Sequence, residues 1–306
     1  MTFTTDTHHS PRATAIGALA ILMWATLALL TAESGRVPPF QLMALAFAVA
    51  AGVSMAIVAA RGQNPVRLLR QSAGAWTVSV GGLFGYHFLY FLALRSAPPL
   101  QANLLNYLWP LLIVLFSAFL PGERLKARHL LGGLAGLGGA GLLVTGGGPA
   151  VFAAEHLAGY AAAAACAVVW AGYSVINRRF RQVPSGAVGG FCGATALLAT
   201  LCHLIFETTV WPAHTGEWLA VLGLGLGPVG AAFFVWDFGV KHGNIRALGV
   251  LSYATPLLST GLLILFGRGQ MTATVAAAAA LIIGGAVIGA GDVVRRRPAQ
   301  RQAGAG

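Results

Sequence analysis

NYLWPLLIVLFSAFL at residues 106–120 and SYATPLLSTGLLILF at residues 252–266 are the two stretches that decide how this chain folds. Each is a long apolar run without a charge, and the two superpose without a gap. Tyr107 falls on Tyr253, and Pro110-Leu111-Leu112 on Pro256-Leu257-Leu258. The same offset of 146 residues carries Trp24 onto Trp170, Gly81 onto Gly227 and Val37-Pro38 onto Val183-Pro184. It also carries Arg95 onto Lys241 and Gly138-Gly139 onto Gly284-Gly285. Coincidences of Ala and Leu mean little in so biased a chain, but Trp, Tyr and Pro agreeing at one offset identify a duplication.

The composition says where the duplicated unit lives. Of 306 residues, 57% are hydrophobic and only 9% charged, with a mean hydropathy of +0.75. A soluble domain carries about 25% charged residues, so this chain cannot cover a water-facing surface. Apolar runs of about 18 residues or more recur throughout, each enough to cross about 30 Å of hydrocarbon as a helix. They are continuous in Ala, Leu and Gly rather than alternating, which argues against strands. Ten spans are read, near 13–33, 39–60, 73–94, 100–120, 129–146, 157–177, 186–206, 217–238, 247–267 and 272–291. The fold class is an all-α membrane protein of ten transmembrane helices. Residues 13–146 and 157–292 form two five-helix repeats, with an N-terminal tail at 1–12 and a basic tail at 293–306. Five spans per unit is an odd number, so the second unit enters from the opposite side and the repeats have inverted topology. That design places a solute site near the midplane, in a central cavity between the repeats.

A net charge of +11 would suggest nucleic acid in a soluble protein. Here its position is more telling. Of the 19 Lys and Arg, all but Arg36, Arg95 and Arg268 fall on one side of the ten spans, the side that also holds both termini. The positive-inside rule makes that side the cytoplasm, and the location a bacterial-type inner membrane with no role for nucleic acid. The Arg-rich stretch at 295–301 reads as an orientation signal beside anionic lipid. Cys166, Cys192 and Cys202 lie inside apolar runs, odd in number and without ligand spacing, so they read as free packing thiols. The polar start leads into the first span without a small-residue cleavage site, so that span is expected to be retained.

The duplicated halves, a Trp in each first span, a Pro in each fourth span and LPGERL at 120–125 resemble the drug/metabolite transporter superfamily. The ten-helix EamA-type branch is the nearest. More narrowly, NLLNYLWPLLIVLFSAFLPGE at 103–123 and GYHFLYFLALRSAPPLQAN at 85–103 resemble the bacterial aromatic amino acid exporters of that branch. The resemblance covers residues 13–292. It implies a basket-like bundle around a central cavity and export of aromatic or other neutral amino acids or related metabolites. One departure is plain: Glu123 closes the fourth span, but its counterpart is Gly269, so any role of that carboxylate is asymmetric.

Polar and aromatic side chains inside apolar spans mark the candidate substrate site. Asn103, Asn106, Tyr107 and Pro110 share one face of the fourth span, with Trp109 beside it. His87 and Tyr90 share a face of the third span, with Tyr86 adjacent. Trp24 and Trp170 are the repeat-related pair, and Tyr173 follows on the sixth span. The eighth span offers Phe233, Phe234, Trp236 and Asp237, and the ninth Ser252 and Tyr253. Pro110 and Pro256 lack an N–H, so each should break its helix and free the carbonyl four residues earlier, on Asn106 and Ser252. Free carbonyls and amides would hold a zwitterion's head group, and the rings would enclose its side chain. Architectural readings compete: Trp76, Trp211 and Trp218 suit interfacial anchors, and membrane helices often carry a Pro kink for packing alone.

Of the ionisable groups only His87 reads as deep. His203 and Asp237 lie near span ends, where solvation or pairing (Asp237 with Lys241, four residues on) suffices. Without a central carboxylate the coupling reads as facilitated diffusion by alternating access, with proton coupling through His87 the alternative. GGLAGLGGAG at 132–141 lacks the Lys-Ser/Thr of a phosphate loop, so together with Gly284, Gly285 and Gly289 it reads as close helix packing. Those helices either flank the bundle or form a dimer interface, leaving monomer and homodimer both open. No metal, cofactor or catalytic constellation is recognisable, so an enzyme is not expected. Carriage of another metabolite or drug is the main alternative; a membrane-embedded enzyme or scaffold is the remote one.

Overall fold

A computed structural model describes residues 10–121, 125–267 and 270–295. Glu123, Gly269, Arg124, Arg268 and the basic tail beyond residue 295 lie outside them. Among the described residues ten helical spans are long and apolar enough to cross a membrane, and there is no strand. They are α1 (Pro11–Glu33), α2 (Pro39–Ala60), α3 (Ala73–Ser96), α4 (Pro99–Phe119) and α5 (Ala127–Thr145), followed by α6 (Ala154–Phe180), α7 (Ser185–Phe206), α8 (Thr215–His242), α9 (Ile245–Leu265) and α10 (Ala273–Arg295).

The starts are written in the sequence. Pro11, Pro39 and Pro99 each open a helix, where the missing N–H costs nothing. Ser10, Ser72 and Asn244 cap α1, α3 and α9 by accepting from the N–H groups of Ala13, Ala75 and Ala247. The N-terminus of α2 is capped from a distance. The Glu207 carboxylate accepts from the N–H of Phe40 at 2.9 Å and of Gln41 at 3.0 Å, and is itself steadied by His203 at 3.0 Å.

Packing follows the duplication. The most extensive helix pairs are α5 with α10, α2 with α7, α3 with α6 and α1 with α8, and α4 crosses α9. A two-fold relation between the halves maps α3–α6 onto α8–α1 and each of the other pairs onto itself. Glycines set the closest approaches. A Cβ on Gly132 would sit 2.6 Å from the Gly285 carbonyl oxygen, and one on Gly239 would sit 2.4 Å from the Cα of Gly17. The glycine-rich helices α5 and α10 therefore pack on each other, whereas Gly138 and Gly284 face open space. Leu197, Leu204 and Ile205 on α7 point outward, as a lipid-facing surface requires.

Both proline-broken spans are broken where expected. α4 divides into Pro99–Asn106 and Trp109–Phe116, and α9 into Ile245–Leu251 and Ala254–Leu265, at matched positions of the repeat. A third irregularity was not expected: α8 contains a π-helical turn, Gly227–Ala231, around Pro228. α8 also runs four residues further than its hydropathy suggested, and this takes Lys241 into the helix.

Candidate functional site

Four tryptophans from four helices meet at the centre of the bundle. Trp24 of α1, Trp109 of α4, Trp170 of α6 and Trp236 of α8 have all six ring-centroid separations between 5.0 and 6.3 Å. The rings meet mostly edge to face, the arrangement their quadrupoles favour. Each buried indole N–H needs an acceptor. Trp24 Nε1 donates to the Pro228 carbonyl at 3.1 Å, in the π-helical turn of α8, and Trp236 Nε1 donates to Ser174 Oγ at 3.1 Å. The rings touch one another and leave no gap of ligand size between them. The cavity expected among the tryptophans is filled at this level, because four helices each contribute an indole to the same point.

A polar layer lies beside this cluster, toward the face of the bundle that holds the α3–α4 turn. Tyr86 packs on Trp170 at 5.3 Å and stacks on Tyr90 at 6.1 Å. Asn106 Nδ2 donates to the Tyr86 hydroxyl at 3.2 Å, and the Tyr90 hydroxyl donates to Asn103 Oδ1 at 2.6 Å. The Cys166 thiol donates to Asn106 Oδ1 at 3.4 Å. His87 is framed by Tyr86, Phe47, Phe91 and Phe233. Its Nδ1 lies 2.7 Å from the Leu83 carbonyl, which can only accept. Nδ1 therefore carries the proton, and in the neutral ring Nε2 is left as an acceptor. Tyr86, His87, Tyr90 and Asn103 are half-buried. This layer offers hydroxyls, amides and an imidazole edged by rings.

Not every expected residue joins it. Tyr173 packs against Trp170 at 5.2 Å, and Phe234 lies half-buried at the edge of the same core. Tyr107 turns partly into a second cluster with Leu111, Ala140, Tyr253 and Ile282. Tyr253 is buried in that cluster, its ring against the backbone of Gly136, and does not reach the tryptophans. Ser252 returns its hydroxyl to the Leu248 carbonyl at 2.7 Å, and its own carbonyl accepts the Thr255 N–H at 3.0 Å. The carbonyl expected to be free below Pro256 is thus taken, because the chain tightens by one residue at the break. α9 contributes its crossing with α4, where Gly249 lets the Pro110 carbonyl approach.

Asp237 and Lys241 form the pair that their spacing suggests near the end of α8, and the structure adds that the pair is buried. Their side chains are 1% exposed and paired, Lys241 Nζ lying 2.8 Å from Asp237 Oδ1. Asn177 Nδ2 donates to Asp237 Oδ1 at 2.7 Å, and Ser185 Oγ donates to Oδ2. Lys241 Nζ donates to the Val183 carbonyl at 3.0 Å, and the Arg178 guanidinium to the Gly243 carbonyl at 3.0 Å. Sequence reading also missed Phe47, which stacks on Phe233 at 5.7 Å, and Ser174. One Phe or Ser in a long apolar helix carries no signal of its own. Pro228 did carry one, as a proline in mid-span.

Ten spanning helices in two inverted units, crossing at matched breaks, define a multi-pass membrane transporter fold. The chain belongs to the EamA-like transporter family, whose profile matches residues 12–145 and again residues 157–289. It is 55% identical over 277 residues to the aromatic amino acid exporter YddG of Ancylobacter novellus, an alignment covering 90% of this chain and 96% of that protein. The protein of the same name from Salmonella typhimurium is 28% identical over 271 residues, covering 83% of this chain and 88% of its own length. A crystal structure 54% identical in sequence superposes with a TM-score of 0.87 over 93% of this chain and 99% of its own.

Proposed function

We propose that this protein exports aromatic and other neutral amino acids, or closely related metabolites, across the bacterial inner membrane by alternating access. The observation that carries the reading is the polar layer of Tyr86, His87, Tyr90, Asn103 and Asn106 set directly against the four-tryptophan cluster. An amino acid presents a zwitterionic head and, in the aromatic ones, a flat apolar ring. The polar layer supplies donors and acceptors for the head without a fixed charge. Trp24, Trp109, Trp170 and Trp236, with Tyr173 and Phe234, supply the apolar wall. The names of the relatives point to the same solute class. Residues 13–146 and 157–292 are the two moving units, with both termini in the cytoplasm as the Lys and Arg distribution directs. Phosphorylated solutes do not suit this layer, which holds no Arg or Lys. The buried carboxylate, Asp237, is already committed to Lys241, Asn177 and Ser185. The solute's own gradient is therefore the driving force.

Counterflow in proteoliposomes tests this. Labelled Phe and Thr should exchange, whereas Glu and a polyamine should not. Exchange of the polyamine or Glu in preference to Phe would overturn the assignment. Asn106→Leu removes the hydrogen bond to Tyr86 and should cut Phe exchange at least about tenfold; unchanged exchange would take Asn106 out of the site.

A further inference from the structure

The two faces of the bundle are not closed alike. On the face holding the N-terminus, the end of α8 packs closely on the α6–α7 hairpin. The Asp237–Lys241 pair sits in that seam with Asn177, Ser185, the Val183 carbonyl and Arg178. The repeat relates this seam to the end of α3 against the α1–α2 hairpin on the opposite face. There, no comparably close backbone approach exists among the described residues; Phe40 reaches across at the start of α2, its ring 5.8 Å from Phe88 and 5.5 Å from Phe91. The equivalent of Lys241 is Arg95, which is exposed, and the equivalent of the Val183-Pro184 turn is Val37-Pro38. The chain is thus latched at one face and unlatched at the other.

The geometry points to Arg95 as the positioning residue of a second latch, made when the opposite face closes. In that state its guanidinium donates to the Val37 carbonyl, as Lys241 now donates to Val183. The inference rests on the alternating-access reading above and deepens it. The same correspondence says the latches are unequal. Asp237 corresponds to Phe91, Asn177 to Thr31, Ser185 to Pro39 and Arg178 to Ala32. At the corresponding positions the second latch therefore keeps a cation and a carbonyl but no carboxylate, amide or second guanidinium; the carboxylate and guanidinium of its hairpin, Glu33 and Arg36, lie at other positions. The first latch holds its face shut by default, and the second holds only weakly. A carrier so biased rests with its polar layer facing away from the N-terminal side and returns only briefly.

Distances between spin labels at Arg36, in the α1–α2 hairpin, and Ser96, at the end of α3, read the opposite face in the full-length protein in liposomes. In the otherwise unchanged protein the long distance should dominate. Asp237→Asn with Lys241→Met removes the first latch without stranding a buried charge. It should raise the short-distance population about tenfold, the scale of losing one charge-assisted hydrogen bond. Adding Arg95→Met should reverse most of that rise, while Arg95→Lys should preserve it. An unchanged population in the Asp237/Lys241 variant would show that this network is not the latch. A rise that Arg95→Met leaves untouched would refute the role of Arg95. If no variant moves either distance while counterflow proceeds, rocking between the halves is itself wrong, an outcome separate from both.

Discussion

Replacing Lys241 by methionine keeps the length of the side chain and removes its charge, so it isolates what the buried ion pair contributes. In the native seam the ammonium lies 2.8 Å from Asp237 Oδ1, 3.0 Å from Oδ2 and 3.0 Å from the Val183 carbonyl. Without it, Asp237 keeps only the neutral donors Asn177 and Ser185, in a place with 1% exposure. Stranding one member of a buried pair costs about 3–5 kcal/mol, and the Val183 carbonyl loses a partner at about 1 kcal/mol more. Asp237→Asn strands the lysine instead, at a similar cost. The double variant strands no charge: the asparagine oxygen still accepts from Asn177 and its NH2 can donate to the Ser185 hydroxyl, so only the Val183 carbonyl loses a partner and the loss should stay at about 1–2 kcal/mol. Proteins carry only about 5–15 kcal/mol of net stability. Each single variant should therefore show a large fall in apparent Tm, and the double variant a small one. Tryptophan emission during thermal unfolding in detergent reads this directly, since four indoles share the central cluster. A Lys241→Met protein as stable as the parent would refute the reasoning, and so would a double variant as unstable as the two singles summed.

Trp170→Ala removes the ring common to both layers, in contact with Trp24, Trp109, Tyr86, Tyr173, Phe233 and Trp236; it should cost about 3–5 kcal/mol and abolish Phe counterflow, with Trp170→Phe recovering most of the stability. Gly132→Ala meets the Gly285 carbonyl at 2.6 Å and should destabilise by about 1–3 kcal/mol, whereas Gly138→Ala meets open space and should be neutral or stabilising by up to about 1 kcal/mol; paired melting curves check both. Glu207→Ala uncaps α2 and releases His203, and should lower stability by about 1–2 kcal/mol. A pH gradient imposed across proteoliposomes should not drive Phe accumulation, and His87→Asn should leave counterflow equally independent of that gradient; accumulation against the solute gradient would establish proton coupling.

The helices and their duplication were legible because both rest on features that accumulate along the chain. Hydropathy over about 20 residues and three rare residue types at one offset leave little room for another fold. The breaks at Pro110 and Pro256 were legible for the same reason: a missing N–H is a property of the residue itself. The π-helical turn at Pro228 was not, because the outcome at a mid-span proline depends on what neighbouring helices offer, here the Trp24 indole. Trp24, Tyr86, Asn106 and Trp170 could be named from sequence since polar and aromatic groups are costly or rare in apolar helices. Which of them meet could not. Ser252 and Tyr253 carry the same signal as Asn106 and Tyr107, yet Tyr253 fills the gap beside Gly136 between α5 and α10. Side-chain type announces that something is needed; rotation about the helix axis decides what. The pairing of Asp237 with Lys241 was legible from their spacing of four residues; its burial was not, because both lie near a span end and only the added turn of α8 against the α6–α7 hairpin encloses them.

Duplication gave this chain a symmetric frame, but the chemistry within it is divided between the halves. His87 corresponds to Phe233, Tyr86 to Ala232, Tyr90 to Trp236 and Asn106 to Ser252. The hydroxyl, amide and imidazole groups of the polar layer thus come from the first half, whereas the tryptophans come from both, Trp24 and Trp109 from the first and Trp170 and Trp236 from the second. A strictly symmetric site would present the same surface to both ends of a solute, which suits a solute with like ends. An amino acid has one zwitterionic end and one side-chain end, and the proposed site, with its polar layer on one side of the tryptophans, would fix its orientation as well as its position. The same divergence separates the two seams, where Asp237 and Phe91 hold equivalent places. On the proposed reading, orientation of the solute and preference for one resting state have a common origin: substitutions that broke the equivalence of the halves while leaving the helix crossings, set by glycine and proline, in place.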